Sequence, residues 1–79
     1  MKDVKVLGMG CAKCKAALTL IEDVAKAEGV EIRLTKVEDP SAIAGYGVLS
    51  TPGVVVNGVV VHSGGLPARD KVVSWLTAA

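Results

Sequence analysis

The chain has 79 residues, 51% of them hydrophobic and 22% charged, with a formal net charge of +1. That length suits one domain, residues 1–79, and the composition is too apolar for a disordered chain. Nine Lys and Arg scattered among eight acids, with Tyr46 and Trp75 as the two aromatic residues, set aside nucleic acid binding, which wants a basic stripe and stacking rings.

The opening stretch MKDVKVLGMGC alternates in charge and lacks the apolar run that forms the centre of a signal peptide. Nowhere does the sequence approach the roughly 20 apolar residues of a membrane span. A cytoplasmic protein with no membrane partner is therefore expected. Thiols stay mostly reduced there, so Cys11 and Cys14 are read as catalytic or metal-binding, not as a structural staple.

Residues 3–7, DVKVL, alternate polar and apolar and run into Gly8 and Gly10, predicting a strand that enters a tight loop. From Cys11 the period becomes helical, with Cys14, Ala17, Leu18, Ile21, Val24 and Ala25 on one face and Gly29 placed as a C-terminal cap. Residues 30–35, VEIRLT, alternate again and predict a half-buried strand with Val30, Ile32 and Leu34 on one side. Asp39 and Pro40 then supply a cap and a first helical residue for a short helix reaching about Ala44, ended by Gly45 and Gly47. Strand, helix and strand make a βαβ unit, which favours a parallel pair.

Further along, Val54-Val55-Val56 and Val59-Val60-Val61 flank Asn57-Gly58, a strong hairpin signal because both turn residues tolerate positive φ. Such unbroken apolar runs predict strands covered on both faces. Gly64-Gly65 break the pattern as a bulge or turn, Pro67 can open a helix, and Val72, Val73, Trp75 and Leu76 give that helix an apolar stripe. The predicted order is βαβαββα, with no internal repeat and no linker.

Two chemistries suit residues 8–14, GMGCAKC. A Cys-x-x-Cys that starts a helix puts its second thiol one turn along on the side of the first, within disulfide reach. The free N–H groups of the helix end favour thiolate at Cys11, and Lys13 and Lys15 add to that field. Cys11 is then the attacking thiolate and Cys14 the resolving thiol, working without organic cofactor or metal. Alternatively the two thiolates could hold a soft ion such as Cu(I), with Met9 nearby; zinc fits less well, because His62 is the one further good ligand and lies about fifty residues away.

Family resemblance separates these readings. GM ahead of Cys11 resembles the loop of heavy-metal-associated copper chaperones, whose order is βαββαβ and which would match only about the first 35 residues. KVLGMGCAKC, GYGVLSTPGVVVNGVVVHSGGLP and the closing helix PARDKVVSWL together resemble the small redox-active disulfide proteins of the thioredoxin-like superfamily, close to glutaredoxin-like proteins. That resemblance implies an α/β thioredoxin-like fold: a four-stranded mixed sheet with helices on both faces, the first two strands parallel and the hairpin antiparallel to them. It implies thiol–disulfide exchange with protein or small-molecule disulfides and thiols, and a reductase or dithiol donor that the residues do not name. It also places Thr51 and Pro52 at the superfamily's cis-proline, beside the Cys-x-x-Cys, where Thr51 would present backbone groups to substrate.

The sequence departs from thioredoxin's own pattern as well. Gly-Cys-Ala-Lys-Cys replaces Trp-Cys-Gly-Pro-Cys, Lys5 stands where the family's buried acid aligns, and glutaredoxin's glutathione-binding residues have no counterparts. Among other residues, Met9 reads as packing over the loop and Trp75 as core. His62 reads as a solvated strand-end residue, and Tyr46 either shields the cysteines or packs on the short helix.

Overall fold

A computed structural model of the chain describes residues 2–8 and 12–77. Strand β1 (Lys2–Leu7) lies inside a four-stranded sheet of order β2-β1-β3-β4, whose other strands are β2 (Ile32–Val37), β3 (Gly53–Val56) and β4 (Val59–Ser63). Helix α1 (Ala12–Glu28) joins β1 to β2, α2 (Pro40–Gly45) joins β2 to β3, and α3 (Arg69–Thr77) follows β4. The expected order βαβαββα is the observed one, and the last described element is a helix.

Pairing follows the turn chemistry. β1 and β2 are parallel, with Lys2 beside Ile32 and Leu7 beside Val37. β3 runs antiparallel to β1, with Val4 beside Val56 and Val6 beside Val54. Only β3 opposes β1, where the whole hairpin was expected to. Asn57 and Gly58, with φ of 49° and 83°, reverse the chain, so β4 is antiparallel to β3 and points the same way as β1. Asn57 also ties the hairpin to β1, accepting from the Asp3 N–H at 2.9 Å through Oδ1 and donating its own N–H to the Asp3 carbonyl at 2.8 Å.

The period-two alternation of the strands sends residues to two cores. Val4, Val6, Val54 and Val56 meet Ala17, Ile21, Val24 and Ala25 of α1 and Val72 and Leu76 of α3. On the other face Leu7 and Val55 meet Ile43 of α2 and Val48, with Val37 and Tyr46 packed alongside. Helices thus cover both faces, as expected of the resemblance, and Tyr46 packs with α2's core. Burial of this apolar surface, at roughly 25 cal/mol per Å², is the main term holding the sheet and helices together.

Helix ends explain the shifts in element boundaries. At the end of α1 the Gly29 N–H bonds the Lys26 carbonyl at 3.3 Å and the Val30 N–H bonds the Ala25 carbonyl at 2.9 Å, with Gly29 at φ 66°. This paired cap occupies Val30, so β2 starts at Ile32 and continues to Val37 instead of spanning 30–35. Asp39 caps α2 by accepting from the Ser41 N–H at 3.1 Å, with Pro40 in the first turn. Pro67 lies two residues ahead of α3, because the Ala68 carbonyl takes the first helical bond, from the Val72 N–H at 3.1 Å.

β4 does not have two covered faces. It is an edge strand, and Val59 and Val60, next to the hairpin turn, are 62% and 38% exposed. β3, flanked by β1 and β4, is buried at every residue. Within the hairpin the register slips by one: Val55 faces Val60, yet Val54 faces His62, leaving Val61 as the extra residue of a bulge.

Candidate active site

The site stands at the end of β1, where the chain leaves the sheet and turns into α1. Cys14 lies in the first turn of α1, 8% exposed, on the same face as Ala17 and Ile21. It is not a free thiol. Met9, Gly10 and Cys11 lie outside the described residues, and with them the expectations of Cys11 as attacking thiol and of Met9 as packing. Lys13 and Lys15 are both exposed on the same helix turn.

Gly8 brings the parts together. A Cβ built on Gly8 would overlap Cys14 Sγ, lie 3.3 Å from Cys14 Cβ and approach Thr51 Cβ at 3.4 Å. Only a residue without a side chain lets the helix start and the Thr51 loop close on the strand end at once. Gly8 is itself fixed by its N–H, which donates to the Val37 carbonyl at 2.9 Å and so prolongs the β1–β2 ladder. The sequence marked Gly8 only as a loop residue; its spacing of six from Cys14 was the available signal.

Thr51 and Pro52 immediately precede β3, and Thr51 approaches Gly8. The Thr51–Pro52 peptide bond is cis, Thr51 is exposed and Pro52 is fully buried. The Pro52 carbonyl accepts the Gly64 N–H at 3.0 Å, which extends the β3–β4 ladder past its last paired residues. Beside Thr51 a shallow groove of about 250 Å³ runs along Pro40, Ile43, Ala44 and Val48. A crevice of about 20 Å³, the size of one water, reaches Cys14 between Val6, Gly8, Leu18 and Lys36. A groove of about 680 Å³ lies elsewhere, between α1 and β2, and is lined by neither Cys14 nor Thr51.

His62 departs from expectation. His62 is half-buried, not solvated: its Nε2 lies 2.9 Å from the Gly65 carbonyl and its ring centroid is 5.8 Å from that of Trp75, which is itself half-buried on α3. The bulge at Val61 turns the imidazole toward that helix. Lys5, aligned with the family's buried acid, is part-exposed and pairs with Asp3 at 2.9 Å; the hydrogen bond to Asp3 raises the Lys5 pKa above 10.5. No group of three or more metal-ligating side chains occurs among the described residues, and none of the described helices is long and apolar enough to cross a membrane.

A sequence model of the thioredoxin domain family matches residues 2–77. The chain belongs to the thioredoxin domain family. It is also 29% identical over 69 residues to a thioredoxin of Methanocaldococcus jannaschii, an alignment covering 87% of this chain and 79% of that protein. The four-stranded mixed sheet and its helices form the thioredoxin-like fold. Family membership supports a thiol–disulfide oxidoreductase-like role for this thioredoxin-like protein.

Proposed function

We propose that this thioredoxin-like protein is a thiol–disulfide oxidoreductase whose dithiol is Cys11 and Cys14. The observation that carries the reading is the meeting of Cys14, in the first turn of α1, with Gly8 and Thr51 at one end of the sheet. The sequence puts Cys11 three residues earlier, at the approach to the same helix end, where unpaired N–H groups favour a thiolate.

In the reducing direction the Cys11 thiolate attacks one sulfur of a substrate disulfide. A bond forms between Cys11 and that sulfur, the substrate S–S bond breaks, and the other sulfur leaves as a thiolate that takes up a proton. Cys14 then attacks the Cys11 sulfur, releasing the second substrate thiol and leaving an intramolecular Cys11–Cys14 disulfide. Two electrons pass from the protein to the substrate; Cys14 gives up one proton, and solvent supplies the one that the Cys11 thiolate had already lost. The same steps run backward when a more reducing dithiol donor restores the protein.

Thr51 and Pro52 serve as the substrate-binding wall. Thr51 is exposed, approaches Gly8, and borders the groove along α2, so an extended segment carrying the disulfide could lie against it. Partners are protein or small-molecule disulfides and thiols, with a reductase or dithiol donor as electron source. The expected setting is cytoplasmic, and the chemistry calls on no organic cofactor.

Trapping tests the reading. Cys14→Ser should accumulate mixed disulfides at Cys11 with an added disulfide substrate, and Cys11→Ser should form none. Equal trapping by both variants, or none by either, contradicts the assignment.

A further inference from the structure

The Gly64-Gly65 loop touches the proposed substrate wall, and its two ends are held differently. Both glycines sit at positive φ, 82° and 75°, a conformation open to few other residues and costly to hold without partners. Gly64 donates its N–H to the Pro52 carbonyl at 3.0 Å, and its Cα packs so closely on Ser50 that an added Cβ would lie 3.1 Å from Ser50 Cβ. Gly65 presents its carbonyl to His62 Nε2 at 2.9 Å. A carbonyl can only accept, so Nε2 carries the proton.

The hairpin is built to make that contact. With the register of Val56–Val59 and Val55–Val60 continued, Val54 would face Val61; the bulge places His62 there instead, with its ring against Trp75 of α3. Bulges near functional sites commonly re-aim a side chain in this way. The result is a connected path: Trp75 braces His62, His62 holds Gly65, and Gly64 holds Pro52 beside Thr51.

We infer that His62 is a positioning residue for thiol–disulfide exchange: its Nε2–H clamps the Gly64-Gly65 loop and thereby fixes the Thr51-Pro52 wall against which the substrate disulfide lies. This rests on the reading of Cys11 and Cys14 as a redox dithiol. His62 touches no reacting atom, and its effect passes through the loop to substrate placement.

Three variants separate the hydrogen bond from packing. His62→Gln carries an N–H donor at similar reach without the ring; His62→Phe keeps a ring without the donor; His62→Ala loses both. With a dithiol reductant and a model peptide disulfide, the Phe and Ala variants should raise KM about fivefold, as expected for one lost hydrogen bond, with kcat nearly unchanged. The Gln variant should return KM toward wild type, and all variants should keep the wild-type Cys11–Cys14 redox equilibrium. In parallel, exchange of the Gly64 amide hydrogen should quicken in the Phe and Ala variants and recover in the Gln variant. A KM that follows ring retention instead of donor retention, or Gly64 exchange unchanged in all three, overturns the clamp. If wild type itself exchanges no disulfide, the redox reading fails, and the Gly64 measurement alone still decides whether His62 holds the loop.

Discussion

Gly8 and Cys14 stand so close that a side chain on one would occupy the sulfur position of the other. Gly8→Ala must therefore push the α1 start away from β1 or shift the Thr51 loop. Overpacking of this kind costs about 1–3 kcal/mol, and displacement of a reacting group by about 1 Å can cost on the order of a hundredfold in rate. The variant is expected to fold with a lowered melting temperature and lose at least tenfold in disulfide exchange, measured by calorimetry and by reduction of a peptide disulfide. Wild-type activity in Gly8→Ala contradicts this packing.

Asn57 serves the fold and not the chemistry. It supplies positive φ at the hairpin and accepts the Asp3 N–H at 2.9 Å, at the end of the sheet where β1 begins. Asn57→Ala should destabilise by about 1–2 kcal/mol in urea titration, by analogy with a lost cap and an ill-suited turn residue, while kcat/KM stays within twofold of wild type.

Core and edge should answer differently to truncation. Ile21 of α1 is fully buried in the core that α1 shares with the sheet and α3, so Ile21→Ala should cost about 2–5 kcal/mol. Val59 is 62% exposed on the edge strand, and Val59→Thr should change stability by no more than about 0.5 kcal/mol. Urea denaturation of both variants checks the assignment of β4 as a half-open edge.

The Lys5–Asp3 pair predicts an alkaline signature. Lys5 is held protonated by its hydrogen bond to Asp3, so its folded pKa exceeds the unfolded value of 10.5. A raised pKa means that the folded state binds the proton more tightly. The pair's contribution is therefore complete below about pH 10.5 and fades as pH climbs through the folded pKa. Lys5→Gln should flatten that alkaline decline in stability, as read from urea midpoints across the alkaline range.

Where a structural signal is local, the sequence displayed it. The Asp39-Pro40 start of α2, the Gly29 cap, the Asn57-Gly58 turn and the apolar stripe of α1 each depend on a few adjacent residues, and each formed close to its expected place. Features set by distant partners were not legible. The exposure of Val59 and Val60 depends on strand order, since the same valine run would be buried in a central strand. The surroundings of His62 depend on a one-residue bulge and on where α3 lies, and the hairpin's valines give no cue to either. At the candidate site, Cys14, Thr51 and Pro52 were singled out from the sequence, whereas the role of Gly8 needed α1 to be folded back onto the end of β1.

The pairing of Cys11 with Cys14 is tested by equilibrating the protein across a series of thiol–disulfide buffers, with thiols counted by alkylation and mass. Cys11 and Cys14 should oxidise together, as one two-electron couple, to an intramolecular disulfide that returns fully to two thiols at the reducing end. Two free thiols persisting across the whole series, or oxidation only to disulfides between chains, would contradict it.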